Sequence, residues 1–269
     1  WPVQCRLMQA AAQRLHAERG LSPAAARLLF ECQAYSPLCT LLLDLLSSAI
    51  LESPAANPAR LLGSYGAVYG TSLSAAAADD PAAEGRAKSL RDDAATFLSE
   101  WRRADADAAQ AQGQSLELLL AIAELLYTTA EWRRQRDAPL GGEAALTAVL
   151  DRMGSLPVLP SAPVHVDAAQ ASFRLETPQI QRLAPPLLLA AMEVTHAKFT
   201  LLRRNGGAQA RGGMLGRGGV AMGADAELRS LRERAEALVA FAGLSGWRGG
   251  DAMGLGQMPA AVSQQLASW

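Results

Sequence analysis

At 269 residues the chain is long enough to bury a sizeable apolar core, either as one long helical array or as two ordinary domains. Half of it is hydrophobic but only 5% is aromatic, and the balance is filled by Ala and Leu, so an all-α fold is expected and strands are not. A formal net charge of -1 and a pI near 6.4 exclude the long-range attraction by which nucleic-acid and anionic-lipid binders gather their partners.

The first helix is expected over residues 2–19, with Leu7, Met8, Ala11, Ala12 and Leu15 on one face and Gly20 as the left-handed residue that ends it. Ser22-Pro23 opens the next with an N-cap residue followed by a proline suited to the first helical position. The same device recurs at Ser36-Pro37, Asn57-Pro58, Asp80-Pro81 and Thr177-Pro178. Over 37–52 the polar Thr40, Asp44 and Ser48 fall on one line and the rest of the circumference is apolar, so neighbours should cover this helix on several sides. Residues 85–103 instead carry Ala87, Leu90, Ala94, Phe97, Leu98 and Trp101 at helical spacing with charges elsewhere, which predicts a helix buried on one side only.

Residues 105–114, rich in Ala, Asp and Gln, read as a linker. Over 116–134 a narrow wet stripe of Glu117, Glu124, Thr128 and Glu131 runs among Leu118, Leu119, Leu120, Ile122, Leu125 and Leu126, predicting a second centrally placed helix. A second linker, over 156–165, contains Pro157, Pro160 and Pro163. Pro185-Pro186 should kink the helix over 177–204 or split it in two. The Gly-rich stretch 206–224 is expected to be a disordered insertion, followed by a helix over 225–243 with Leu228, Leu231, Ala235, Leu238 and Ala242 as its stripe, and by a short helix over 259–267.

Arginine doublets at Arg102-Arg103, Arg133-Arg134 and Arg203-Arg204 read as solvated helix ends matched to the helix dipole. No uninterrupted apolar run reaches membrane-spanning length, because Asp44 breaks one candidate and Glu117 with Glu124 the other, so no membrane span is expected. The opening at Trp1 reads as the start of an excised portion of something longer. No consistent signature of a regular helical repeat is present, so any stacking of the helices is irregular.

Cys5, Cys32 and Cys39 form no CxxC pair and are odd in number, which favours buried apolar thiols in a reducing compartment. Of His16, His165 and His196, only His196 has a carboxylate at ligand spacing, Glu193, and no second such pair exists, so the two read as neighbours on a helix surface. Asp92-Asp93 and Glu117 with Glu124 lie on wet stripes, where paired carboxylates serve solvation. No nucleophile elbow, P-loop or dinucleotide fingerprint appears. The chain is therefore read as non-enzymatic, with no catalytic, cofactor-binding or metal-ligating residue, no cofactor and no small-molecule substrate. Arg211 and Arg217 each precede Gly-Gly, and the alternative they raise is an organellar RNA-binding helical array; two such units without interleaved aromatics give it little support.

Three stretches resemble the carboxyl-terminal part of the inner-ring scaffold nucleoporins of the nuclear pore, the nucleoporin-interacting-component family. The first is Leu150-Asp151-Arg152-Met153-Gly154-Ser155-Leu156-Pro157. The second runs from Phe173 to Arg204, with Leu188-Leu189-Ala190-Ala191-Met192 and then Phe199-Thr200-Leu201-Leu202-Arg203-Arg204. The third has Leu228-Arg229-Ser230-Leu231, then Leu238-Val239-Ala240-Phe241-Ala242-Gly243 and Trp247-Arg248. The resemblance implies that residues 1–269 are the carboxyl-terminal part of one irregular α-helical solenoid of stacked antiparallel helices, of the coat-protein type. It further implies a place in the nuclear pore complex at the nuclear envelope. Other inner-ring nucleoporins would bind through helix faces and short linear motifs, without direct nucleic-acid contact; no partner-binding residue can be assigned.

Overall fold

The computed structural model describes residues 22–53, 81–135, 142–212 and 218–244, with a few positions between 6 and 14. Its elements are α1 (Ser22–Glu31), α2 (Tyr35–Glu52), α3 (Pro81–Ala104), α4 (Ala106–Gln112), α5 (Gln114–Gln135), α6 (Gly142–Gly154), a 3-10 turn (Pro163–His165), α7 (Val166–Leu175), α8 (Pro178–Gln181), α9 (Ala184–Gly212) and α10 (Gly218–Leu244). Among the described residues there is no strand, and the fold is all-α. The helices fall into two compact units; among the described residues the chain passes from one to the other inside α5, between Glu124 and Leu125, and again before Thr177 and after Leu183.

In the first unit α2 is packed by α1, α3 and α8. Leu38, Cys39, Leu41, Leu42, Leu43, Leu46 and Ile50 are buried on it, as its nearly continuous apolar circumference predicts. By length and composition α2 is apolar enough to cross a membrane, since Asp44 alone does not lower its hydropathy sufficiently. Its buried side chains pack within the fold, and Asp44 itself accepts from Gln179 Nε2 of α8 at 2.5 Å.

The turn into α2 differs from the expected Ser-Pro start: α2 begins at Tyr35, preceded by Ala34, and Ser36 is not its cap. Gln33 takes the left-handed conformation (φ 55°). Ala34 N–H bonds Leu29 C=O and Gln33 N–H bonds Phe30 C=O, the six-residue closure that normally calls for glycine. Pro37 is tolerated because the first amides of a helix have no acceptor behind them. Thr177 stands at the N-cap of α8 by backbone angle, without a side-chain capping bond, and Pro81 opens α3. The Asn57-Pro58 start lies outside the described residues.

The buried stripe of α3 is nearly as expected: Ala87, Ala94, Phe97, Leu98 and Trp101 are buried, and Leu90 is half-buried. Phe97 and Trp101 join Phe30 and Tyr35 in an aromatic cluster with ring centroids 5.6–6.3 Å apart. The expected linker over 105–114 is a helix instead. Asp105 Oδ1 accepts from Ala108 N–H at 3.0 Å, capping α4, and Ala109 is fully buried. Ala and Gln, read as linker composition, are strong helix formers once a cap and a packing contact with α3 are supplied.

In the second unit α9 packs on α6 and α10, and α7 with its 3-10 turn packs on α10. The helix expected over 177–204 is split in two, with Arg182 and Leu183 between α8 and α9, and Pro185-Pro186 sit in the first turn of α9, where a missing amide costs no helical bond. The 156–165 segment contains no α-helix but is no loose linker, because Leu156, Val158 and Leu159 are buried. On α10, Leu231, Ala235, Leu238 and Ala242 are buried as predicted and Leu228 is half-buried. Phe241 joins them, edge-on to Phe173 at 6.1 Å.

Of the Gly-rich stretch 206–224, the ends lie within the bounds of α9 and α10, and 213–217 lie outside the described residues. Near the amino end, Leu7 and Ala11, expected on a buried face, are exposed. The short helix expected over 259–267 lies outside the described residues.

Candidate functional surface

Several of the residues that could have carried chemistry instead join one helix to another. In the first unit Arg102 of α3 pairs with Glu117 of α5, and Arg91 Nη1 donates to Glu124 Oε2 at 2.8 Å. Glu117 and Glu124 of the wet stripe thus face α3, and these two carboxylates are bonded to cations rather than to each other, while Glu131 pairs with Arg134 of α5 itself. Arg91 also holds Asp92 Oδ1 at 2.8 Å. These partly exposed pairs contribute about 0–1 kcal/mol each; their geometry fixes which face of α3 meets α5.

The second unit overturns two sequence readings. Glu193, expected on a surface beside His196, is buried. Arg133 Nε donates to its Oε2 at 2.8 Å, and Arg133 Nη2 lies 2.6 Å from the same oxygen. Arg133 is therefore not a solvated helix end: its side chain is 14% exposed and that of Glu193 is 7%. Nothing in the local pattern signals this, since Arg133 and Glu193 are brought together only by folding. Glu193 Oε1 remains buried without a hydrogen-bond partner.

The Arg203-Arg204 doublet does not close a helix, because α9 runs on to Gly212; Arg203 instead lies over the Phe199 ring at 5.9 Å. Lys198, one of two lysines, is buried with Nζ 3.6 Å from Glu227 and 3.9 Å from Glu143.

His165 is exposed, with Nδ1 2.9 Å from Ser161 Oγ, and His196 is half-buried, with burial lowering its pKa below the usual 6.5. His16 lies outside the described residues. Cys32 and Cys39 are buried free thiols, and burial pushes Cys39 up to about 11, far from a reactive thiolate; Cys5 is outside the described residues. Among the described residues no group of three or more His, Cys, Asp or Glu side chains could hold a metal ion. Of the two Arg-Gly-Gly units, Arg217 lies outside the described residues and Arg211 falls within the bounds of α9.

What faces outward is more informative. Leu175 and Val164, at either end of α7, are 88% and 82% exposed, the largest values among the exposed large apolar side chains described. Ala168 and Ala171 are also exposed, so the four positions make one apolar line on α7 and its preceding turn. The opposite face, with Val166 and Ala169, is buried. A helix with one face in the core and an apolar line outside suits docking of another protein, and nothing in this arrangement suits bond making or breaking.

The family model Nup93/Nic96 matches residues 4–248 of the chain. The match extends the resemblance, carried by the last third of the sequence, across all the described helices. The chain matches no curated protein.

Proposed function

Because the chain belongs to the Nup93/Nic96 family, we propose that it acts as a structural scaffold of the nuclear pore's inner ring, binding other nucleoporins and supporting pore assembly and nucleocytoplasmic transport. Members of the family are structural nucleoporins, components of the nuclear pore complex in the nuclear envelope. The single observation carrying the reading is the match over residues 4–248. The physical character of the molecule supports it: an all-helical body, titratable groups engaged between helices, and an apolar line on α7 turned outward. In this reading helix faces are the docking surfaces, taking the helices and short linear segments of neighbouring nucleoporins.

The test is affinity purification of the tagged chain from solubilised nuclear envelopes, with and without nuclease. Inner-ring nucleoporins should be recovered in near-stoichiometric amounts and nuclease should change nothing. Recovery that depends on RNA, together with tight, salt-sensitive binding to generic single-stranded RNA, would replace the scaffold reading by the nucleic-acid one.

A further inference from the structure

Inside α5 one carbonyl carries an unusual load. Leu125 C=O accepts from Thr128 Oγ1 at 3.0 Å and from Thr129 Oγ1 at 2.7 Å, and the helical ladder directs the Thr129 amide at the same oxygen. Thr40, Thr96, Thr147 and Thr195 each return to a different carbonyl. Hydroxyl back-bonding of this kind competes with the amide for the acceptor, weakening and bending helices, and two adjacent β-branched residues lower helix propensity further. Thr129 is fully buried, so water cannot relieve the competition.

The loaded carbonyl belongs to the residue at which α5 passes from one compact unit into the other. On one side Glu117 and Glu124 tie α5 to α3; on the other Arg133 ties it to Glu193 of α9. We propose that the turn Leu125–Thr129 is a built-in compliant point of α5, which opens and bends before either anchored half of the helix does. A scaffold helix with one soft turn between two fixed ends takes up strain at that turn and spares the packing on either side.

Hydrogen exchange of the full chain, read by peptide mass spectrometry, tests this. Amides of 126–132 should exchange on the order of ten times faster than those of 118–124. The double variant Thr128→Ala/Thr129→Val, which removes both hydroxyls and keeps the buried shape, should slow 126–132 by roughly three-fold or more. Amides of 187–194 in α9 report global stability and should not change. If the double variant fails to fold, Thr128→Ala alone should give a smaller slowing in the same peptide. Uniform protection along α5, or slowing absent or matched in α9, overturns the proposal.

Discussion

Replacing Glu193 by leucine should destabilise the chain severely, whereas the same change made together with Arg133→Met should not. At 2.8 Å and an effective dielectric constant near 20, the attraction between the two charges is about 6 kcal/mol. Against it stands a desolvation cost of several kcal/mol per ion, and Glu193 Oε1, buried and unbonded, adds about 1–3 kcal/mol. The terms nearly cancel, so the intact pair contributes little net stability. Removing one partner leaves the Arg133 guanidinium buried and uncompensated, which costs about 3–5 kcal/mol. For a chain of this size that lowers the melting temperature by roughly 6–20 °C. The Arg133→Met/Glu193→Leu double variant should melt within a few degrees of the parent, or above it. Denaturant unfolding of the parent, both single variants and the double variant gives the coupling directly. A single variant costing less than about 1 kcal/mol, or a double variant as unstable as the sum of the singles, would refute the reasoning.

Leu238 is fully buried on α10, so Leu238→Asp should cost at least about 4 kcal/mol, and an unchanged melting temperature would contradict its placement. Gly113 is held against the Ala109 carbonyl, and an added Cβ would fall far inside contact with that oxygen and 3.0 Å from Leu98 Cδ1. Gly113→Ala should therefore destabilise by about 1–3 kcal/mol despite alanine's better helix propensity, as denaturant titration would show. Gln33→Gly relieves the left-handed residue at the end of α1 and should stabilise by about 0.5–1 kcal/mol in the same titration; a loss of stability would mean that the turn is not strained. Burial lowers the His196 pKa, so below about 6.5 the unfolded chain takes up the proton that the folded chain refuses, and stability falls with pH; this acid dependence should shrink in His196→Gln when melting temperatures at pH 7 and pH 5 are compared.

The amphipathic periods made most of the fold legible. The stripes of α3, α5 and α10 are buried largely where their spacing places them, because an apolar period along a helix marks the face that gains most from burial. What escaped depends on residues distant in sequence. Arg133 looked like a dipole-matched helix end and Glu193 like a surface neighbour of His196, yet α9 presents the carboxylate to the arginine and buries both. The α1–α2 turn was misread because its left-handed residue is a glutamine, with no glycine to mark it. The helix Ala106–Gln112 is hidden in the sequence because Asp105, its cap, also matches the composition of a linker. The family was legible in the last third of the sequence, although the match covers residues 4–248. The outward line on α7 went unnoticed because an exposed Val164 and Leu175 look, in sequence, like any other core positions.

The most direct test places a photo-activatable residue at Leu175, 88% exposed, or at Leu238, fully buried, in the chain assembled into native nuclear envelopes. Amine-reactive crosslinkers would report little, since Lys88 and Lys198 are the only lysines and Lys198 is buried. Illumination should join position 175 to another nucleoporin and position 238 only to segments of the same chain. Capture of foreign protein from position 238, or of RNA and no nucleoporin from position 175, would contradict a scaffold whose helices pack inward and dock outward.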